Sequence, residues 1–439
     1  MTATTDTTAT TAPAAPGRRS LRALVASAEL DGRLLGLVVA LAVIWAGFHL
    51  ISGGDFLTAR NLWNLSVQSS SVAIMATGMV LVIVSRNIDL SVGSMLGFIG
   101  YTMAMVQTQW IPNTFDLGFG RWYTWLVAVA VGVLLGAVIG GAQGFVVAFV
   151  GVPSFIVTLG GILIWRGLIF RYKQGQTLAP MDSTFALLGG GPRGSLGEWR
   201  SWVFGGVACA LIVFSIALAR QRRRRYKFAL RPMALDIGIA VAGCSAVVGA
   251  VLVANSYPWP AALARRHAEA RGIVEPEGGL IIPTGIAYPV VILIVVAIAM
   301  TYLARRRRFG RYVYAIGGNP EAAELGGINV RRTIMLTFVL MGMVCAIAAA
   351  VQTARLNSAV TNLGVTNELD VISAAVIGGT SFAGGVGTIP GAVLGAVVMQ
   401  SLRSGMVLLN VDAPTQDIYV GLVLVVAVAA DAVLRRRRS

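Results

Sequence analysis

Arg86-Asn87-Ile88-Asp89-Leu90-Ser91-Val92-Gly93 interrupts two apolar runs, near residues 67–85 and 91–107. Each run approaches the roughly 20 residues a helix needs to cross a bilayer, yet a carboxylate, an amide and a hydroxyl separate them. Non-helical backbone at membrane depth persists only where protein or a water-filled cavity satisfies its polar groups, so the stretch reads as a break inside a membrane bundle. Further apolar segments fall near 34–51, 124–150, 154–170, 202–219, 235–254, 285–304, 333–353, 371–382, 390–409 and 417–434. The chain therefore reads as an all-α polytopic membrane protein of about 10–12 transmembrane segments, with broken or re-entrant elements.

Composition agrees. Of 439 residues, 56% are hydrophobic and 12% charged, about half the charged share of a soluble domain. The net charge of +16 sits largely in Arg18-Arg19, Arg222 to Arg225, Arg305 to Arg308 and Arg435 to Arg438, each beside an apolar run. That is the positive-inside pattern, which sets orientation; it argues for a lipid surface and against nucleic acid. An even number of segments separates consecutive blocks, so both termini are expected in the cytoplasm. On this topology residues 171–200 and 256–284 are external loops, and 309–332 form a cytoplasmic region. Residues 1–32, opening on a Thr/Ala/Pro-rich stretch, read as a disordered cytoplasmic tail; 33–435 form the membrane domain, and 436–439 a basic tail. The run near 36–51 lacks a small-residue cleavage site and reads as a retained span, and the span at 235–254 as an elaboration.

Several chemistries are excluded. Lysine occurs only at 173 and 227, neither after a glycine-rich loop, and no G-x-x-x-x-G-K-[ST] is present, so the chain is not expected to bind ATP through a P-loop. Cys209, Cys244 and Cys345 lie far apart inside apolar runs, and His49 and His267 are isolated, so neither disulfide, metal nor cofactor is expected.

A second break, Asn367-Glu368-Leu369-Asp370-Val371-Ile372-Ser373, also places an Asp shortly before a Ser and then small residues: Gly93 and Gly97 in the first case, Gly378 and Gly379 in the second. Breaks at corresponding positions are a mark of transporters with repeated halves, although two short polar motifs also align by chance. Residues 378–391 are too glycine-rich for continuous helix. They read either as a re-entrant element or as a tight turn that lets helices pack closely.

Asn319-Pro320-Glu321-Ala322-Ala323-Glu324-Leu325-Gly326-Gly327 reads differently, as about two turns of capped helix on the cytoplasmic side. Asn319 suits the N-cap and Pro320 the first helical position. Glu321 and Glu324 favour the positive end of the helix dipole, and the two glycines supply a left-handed stop. Such an element suits a docking site.

Taken in order, Asn87-Ile88-Asp89-Leu90-Ser91-Val92-Gly93, Ala315-Ile316-Gly317-Gly318-Asn319-Pro320-Glu321-Ala322-Ala323, and Glu368-Leu369-Asp370 leading to Ile377-Gly378-Gly379-Thr380-Ser381 resemble the permease subunits of carbohydrate ABC importers, particularly the ribose/xylose branch. The similarity covers most of residues 30–435. One departure is Arg86-Asn87, where a Gly-Gly pair is common. The resemblance implies a non-enzymatic translocation subunit of the bacterial inner membrane, importing a monosaccharide with xylose as first candidate. It implies as partners a second permease copy, a cytoplasmic ATPase and an extracytoplasmic sugar-binding protein. Asn319, Pro320, Glu321, Ala322, Ala323, Leu325 and Gly327 would then couple to the ATPase, with Ala322, Ala323 and Leu325 in close contact. Asn87, Asp89, Ser91, Gly93, Glu368, Asp370, Gly378 and Gly379 would line the pathway or break its helices. Asp89 is also placed to N-cap a run beginning at Leu90. The competing reading is a proton- or sodium-driven carrier of a small polar solute, with Asp89 and Asp370 as ion sites and no need of a docking helix.

Overall fold

The computed structural model describes residues 32–114, 120–272 and 279–436. Most of the two terminal tails expected from sequence, 1–31 and 437–439, lies outside the described residues. In chain order the helices are α1 (Gly32–Ile51), α2 (Ala59–Val84), α3 (Val92–Met105), α4 (Thr124–Phe145), α5 (Ser154–Lys173), α6 (Ser183–Ala186), α7 (Gly197–Arg225) and α8 (Met233–Asn255). There follow α9 (Ala261–Arg271), α10 (Tyr288–Arg306), α11 (Arg308–Gly318), α12 (Pro320–Leu325), α13 (Val330–Leu356), α14 (Asn367–Ile377), α15 (Ile389–Leu408) and α16 (Ala413–Arg436). Among the described residues, nine helices are long and apolar enough to span a bilayer. The shorter α3 and α14, together with α16, supply the remaining apolar segments, so the expected polytopic helical bundle with broken elements is what forms.

Burial sorts these helices. In α2 94% of the most apolar window is buried, against 6% in α7 and 11% in α8. A helix apolar all round and enclosed on all sides is a core helix; α10, α13, α14 and α15 pack around α2. The α7–α8 pair packs mainly on itself at the periphery, in keeping with an elaboration. There Cys209 and Cys244, distant in sequence, face each other, each thiol directed at the other's carbonyl at 3.9 and 4.0 Å.

The most extensive helix packing among the described residues is α4 on α13. Gly132, Gly136, Gly140 and Gly144 recur every fourth residue and so form one stripe along α4. A Cβ at Gly136 would strike the Gly342 carbonyl, one at Gly140 the Phe338 carbonyl, and one at Gly342 the Gly136 carbonyl. In a bilayer such small-residue stripes hold helices by backbone contact.

Both expected external loops contain more structure than their composition indicated. The first includes α6 and the start of α7, and its Gly189 lies against the Ala354–Arg355 backbone. The second includes α9. Isolated antiparallel bridges join the first loop to the ends of bundle helices, Leu178 with Ala359 and Ser195 with Ala287, while Pro258 with Pro283 closes the second loop on itself. Proline and glycine mark the ends of these elements, but the polar residues between them still form helical turns.

Candidate functional site

The capped helix α12 forms as its local signals dictate. Asn319 is extended, and its Oδ1 accepts from the Ala322 N–H at 3.1 Å. Pro320 occupies the first turn, and Gly326 and Gly327 N–H groups return to Ala322 and Glu324 carbonyls. Gly327 alone is left-handed, at φ +81°, while Gly326 is at φ −75°. One expectation is corrected: Ala323 is buried against the chain itself and cannot meet a partner. Ala322, Glu321 and Glu324 are exposed, and Leu325 is 91% exposed. Among the described residues, little of the chain covers the Leu325 side chain.

The end of α11, directly before this helix, is wired to the first break. Arg86 donates from Nε to the Gly317 carbonyl at 2.8 Å and from Nη2 to the Gly318 carbonyl at 2.7 Å. These carbonyls end α11 and lack intrahelical partners. Arg86 itself sits at φ +64°, a left-handed backbone that favours glycine. The glycine-rich loop joins from the other side: Gly385 N–H donates to the Val84 carbonyl at 3.0 Å, and Tyr314 Oη donates to the Gly387 carbonyl at 2.7 Å. Burial pushes the Tyr314 phenol above its ordinary pKa, with Arg305 opposing, so it remains a proton donor. Arg86 of the first break, the Gly317-Gly318 end of α11 and the glycine-rich stretch at Gly385–Gly387 thus converge on the end of α2.

Further along, the expected N-cap role of Asp89 is not what forms. Helix α3 starts at Val92, two residues later than Leu90, with Ser91 in the cap position making no side-chain cap bond. Asp89 Oδ1 instead accepts from the Ser91 N–H at 2.9 Å and the Ser91 hydroxyl at 2.6 Å, a local turn that competes with helix. Gln143 of α4 donates to the Ser91 hydroxyl at 3.0 Å. Asn87 bonds the Ser85 carbonyl at 2.9 Å. Asp89 and Ser91 are buried.

The two breaks meet. After α13 the chain turns through Asn357 and Thr366, both at positive φ, and begins α14 at Asn367. A Cβ at Gly93 would run into the Gly364 carbonyl and Glu368 Oε2, and one at Gly364 into the Gly93 carbonyl. Glu368 pairs with Arg166 of α5 at 3.6 Å, and Asn367 donates to Gln352 at 3.1 Å. Asp370 is not part of this crossing: Arg403 Nε lies 2.9 Å from Oδ2, Gln400 donates at 3.4 Å, and Arg403 reaches Asp417 at 3.2 Å. Gly378 rests on the Gly391–Ala392 backbone, and Gly379 is left-handed at φ +90°. Helix α14, of 11 residues, is about 16 Å long and covers only half of a hydrocarbon core, which favours the broken-element reading of this region. Sequence reasoning missed Gln143, Arg166, Gln352 and Arg403; for the two arginines, a charge inside an apolar run was the available signal.

A helical membrane bundle with two broken elements that cross, one of them bonded to the helix that leads into the capped α12, is the architecture of a transport permease. The chain belongs to the family described as branched-chain amino acid transport system / permease component, whose profile matches residues 61–428. Among curated relatives, the xylose transport system permease protein of Haemophilus influenzae is 37% identical over 90% of this chain and 95% of its own length. Its counterpart in Escherichia coli K12 is 36% identical, over 93% and 94%. The ribose import permease protein of Escherichia coli K12 is 32% identical, over 90% and 92%. The resemblance to the ribose/xylose branch is thereby borne out. No solved structure matches the chain.

Proposed function

We propose that this chain is the translocation subunit of an ABC importer for a monosaccharide, with a pentose such as xylose as first candidate, in the bacterial inner membrane. Two copies form the pathway, a separate cytoplasmic ATPase drives it, and an extracytoplasmic binding protein delivers the sugar. The observation that carries this is α12: a capped helix with Leu325 open, in a chain without a P-loop. Such a chain needs an ATPase from elsewhere and offers it a rigid lever.

In this mechanism α12 shifts as a rigid body when the ATPase closes. Arg86 passes that shift from the end of α11 to the α2–α3 linker. The Val84–Gly385 and Tyr314–Gly387 bonds pass it to the glycine loop and so to α14. Both breaks move relative to each other at Gly93 and Gly364, and the pathway changes sides. The ion-driven alternative loses support at Asp370, whose charge Arg403 already neutralises.

Reconstitution decides the matter. Proteoliposomes holding this chain and its ATPase, with the binding protein outside, should accumulate labelled xylose only with ATP inside the ATPase compartment. Uptake driven by a proton or sodium gradient without the ATPase, or uptake of leucine in place of xylose, would overturn the proposal.

A further inference from the structure

We infer that the arginine-rich end of the α7–α8 pair holds a site for the phosphate headgroup of an anionic phospholipid, formed by Arg220 and Arg223 of α7 and by Arg231 in the linker before α8. This goes beyond the transport reading and does not depend on which solute is carried.

The arginines of this turn divide by helix face. Arg222, Arg224 and Arg225 are exposed, whereas Arg220, Arg223 and Arg231 are half-buried. A cavity of about 170 Å³ lies between the last turns of α7 and the first turns of α8, and its lining includes Ile216, Arg220, Arg223, Arg231, Asp236 and Ile239. On α7, Ile216, Arg220 and Arg223 are spaced by four and three residues and so share one face. Asp236 and Ile239, three apart, do the same on α8. Charge that only sets orientation is counted without regard to helix face. Arginine is rarely turned inward without something to meet it.

The fold supplies one counter-charge. Arg220 Nη1 lies 2.6 Å from Asp236 Oδ2 and donates to the Arg231 carbonyl at 3.2 Å. Arg223 donates to the Ala229 carbonyl at 3.4 Å, a partner without net charge. Three guanidiniums against one carboxylate leave the cavity a surplus of two positive charges. A cation is repelled there, and an apolar group leaves the guanidiniums unsatisfied. A phosphate meets the surplus and matches the guanidinium fork with parallel bonds. The cavity has roughly ten times the volume a single water needs, which is room for such a group.

The surroundings select a lipid over a free anion. Tyr226, Phe228, Leu230 and Met233, in and beside the linker, are exposed, an aromatic and apolar fringe of the kind found at headgroup level. The rest of the chain covers little of either helix, with 6% and 11% of their most apolar windows buried, so acyl chains reach the cavity from the side. The side of the membrane also fits. Helix α7 starts beside α10, through the Ser195–Ala287 bridge and the Gly197 N–H on the Thr284 carbonyl at 3.1 Å. From there the two helices run to Arg225 and Arg306. The linker therefore shares a side with α12, the side expected to face the cytoplasm, where anionic lipids attract basic segments and basic pockets between helices bind headgroups.

The test uses the full-length chain purified in detergent without the ATPase. Phosphatidylglycerol, phosphatidylcholine and inorganic phosphate are added in turn. Native mass spectrometry counts retained lipid, and thermal unfolding reads protection. Phosphatidylglycerol is expected to be retained and to raise the unfolding temperature, and the other two to do neither. Arg223→Gln and Arg231→Gln should each lower its retention about tenfold, the worth of one hydrogen bond to a charged group. Arg222→Gln and Arg224→Gln remove the same charge outside the cavity and should leave retention unchanged. Arg223→Lys keeps the charge without the fork, holds the fold if the glutamine variant does not, and should retain an intermediate amount. Equal losses in all four glutamine variants would reduce the site to diffuse attraction and overturn the inference. So would equal protection by inorganic phosphate, which would make the ligand a free anion, or a wild-type chain that retains no phosphatidylglycerol. Loss of ATPase co-purification in Arg223→Gln and Arg231→Gln, with lipid retention intact, would assign the cavity to that partner instead.

Discussion

The Arg86 guanidinium is bonded to the Gly317 carbonyl at 2.8 Å, joining the end of α2 to the end of α11. A left-handed non-glycine residue costs about 1 kcal/mol, whereas each hydrogen bond from a charged donor contributes about 1.5 kcal/mol. With its second bond to Gly318, the clamp outweighs the strain. Arg86→Gly should therefore relax the backbone while cutting the link. The variant is expected to insert and to support ATP hydrolysis in the assembled complex, with sugar uptake reduced at least about tenfold, equivalent to about 1.4 kcal/mol of coupling. Arg86→Ala should lose uptake similarly and accumulate less, because it keeps the strained φ without the bonds. Full uptake by Arg86→Gly would show that the clamp does not transmit.

Leu325 offers a cleaner separation of folding from docking. At 91% exposure it touches little of its own chain, so Leu325→Glu should alter stability by less than about 0.5 kcal/mol. Lost apolar contact with the ATPase, together with a third negative charge beside Glu321 and Glu324, should abolish co-purification and uptake. Ala322→Trp, also on the exposed side, should behave in the same way. Gly327, at φ +81° with open space around it, should tolerate Asn better than Val, since Asn enters the left-handed region more readily. Pull-down of the ATPase from detergent extracts reads all three.

How much of this was legible in the sequence depended on how local each signal was. Helix α12 was readable almost to the residue because cap, proline and glycine lie within one short stretch. Its inward side was not readable: Ala322 and Ala323 are chemically identical, and only the packing on α11 and α13 distinguishes them. The existence of both breaks was legible from Asp89 and Asp370 in apolar surroundings. Their different fates were not, because Asp370 is answered by Arg403 a full helix later, and Asp89 by its own Ser91. The glycine stripe of α4 was written in its spacing, yet spacing alone does not name α13 as the partner.

Asp370 and Arg403 make a buried ion pair, with side chains 4% and 19% exposed. Removing one member of such a pair strands the other. Asp370→Ala is expected to destabilise the protein by about 3 kcal/mol, the low end of the usual range because Asp417 still reaches Arg403. The double variant Asp370→Asn, Arg403→Gln should lose less than the sum of its parts, since neither change then leaves a charge unpaired. Thermal unfolding in detergent measures this. Additive losses would mean that the pair does not act as a unit, and would reopen Asp370 as an ion-binding candidate.

The contact between Gly93 and Gly364 is the tightest constraint on how the breaks move. A methyl group at Gly93 would collide with the Gly364 carbonyl and with Glu368, and the first of these is backbone that cannot rotate away. Gly93→Ala should therefore force the α3 start and the α14 start apart. Overpacking of this kind costs about 1–3 kcal/mol, and the displacement falls on the elements that must move during transport. Gly318→Ala is the matched control, because nothing lies within 4 Å of its added Cβ. Gly93→Ala is expected to lower the melting temperature and to reduce uptake by more than its membrane level explains, while Gly318→Ala does neither. If Gly93→Ala melts earlier but transports in proportion to its abundance, the crossing is a structural contact only. A moving contact instead predicts that Gly364→Ala, with both a left-handed backbone and the same collision, is the more severe of the two.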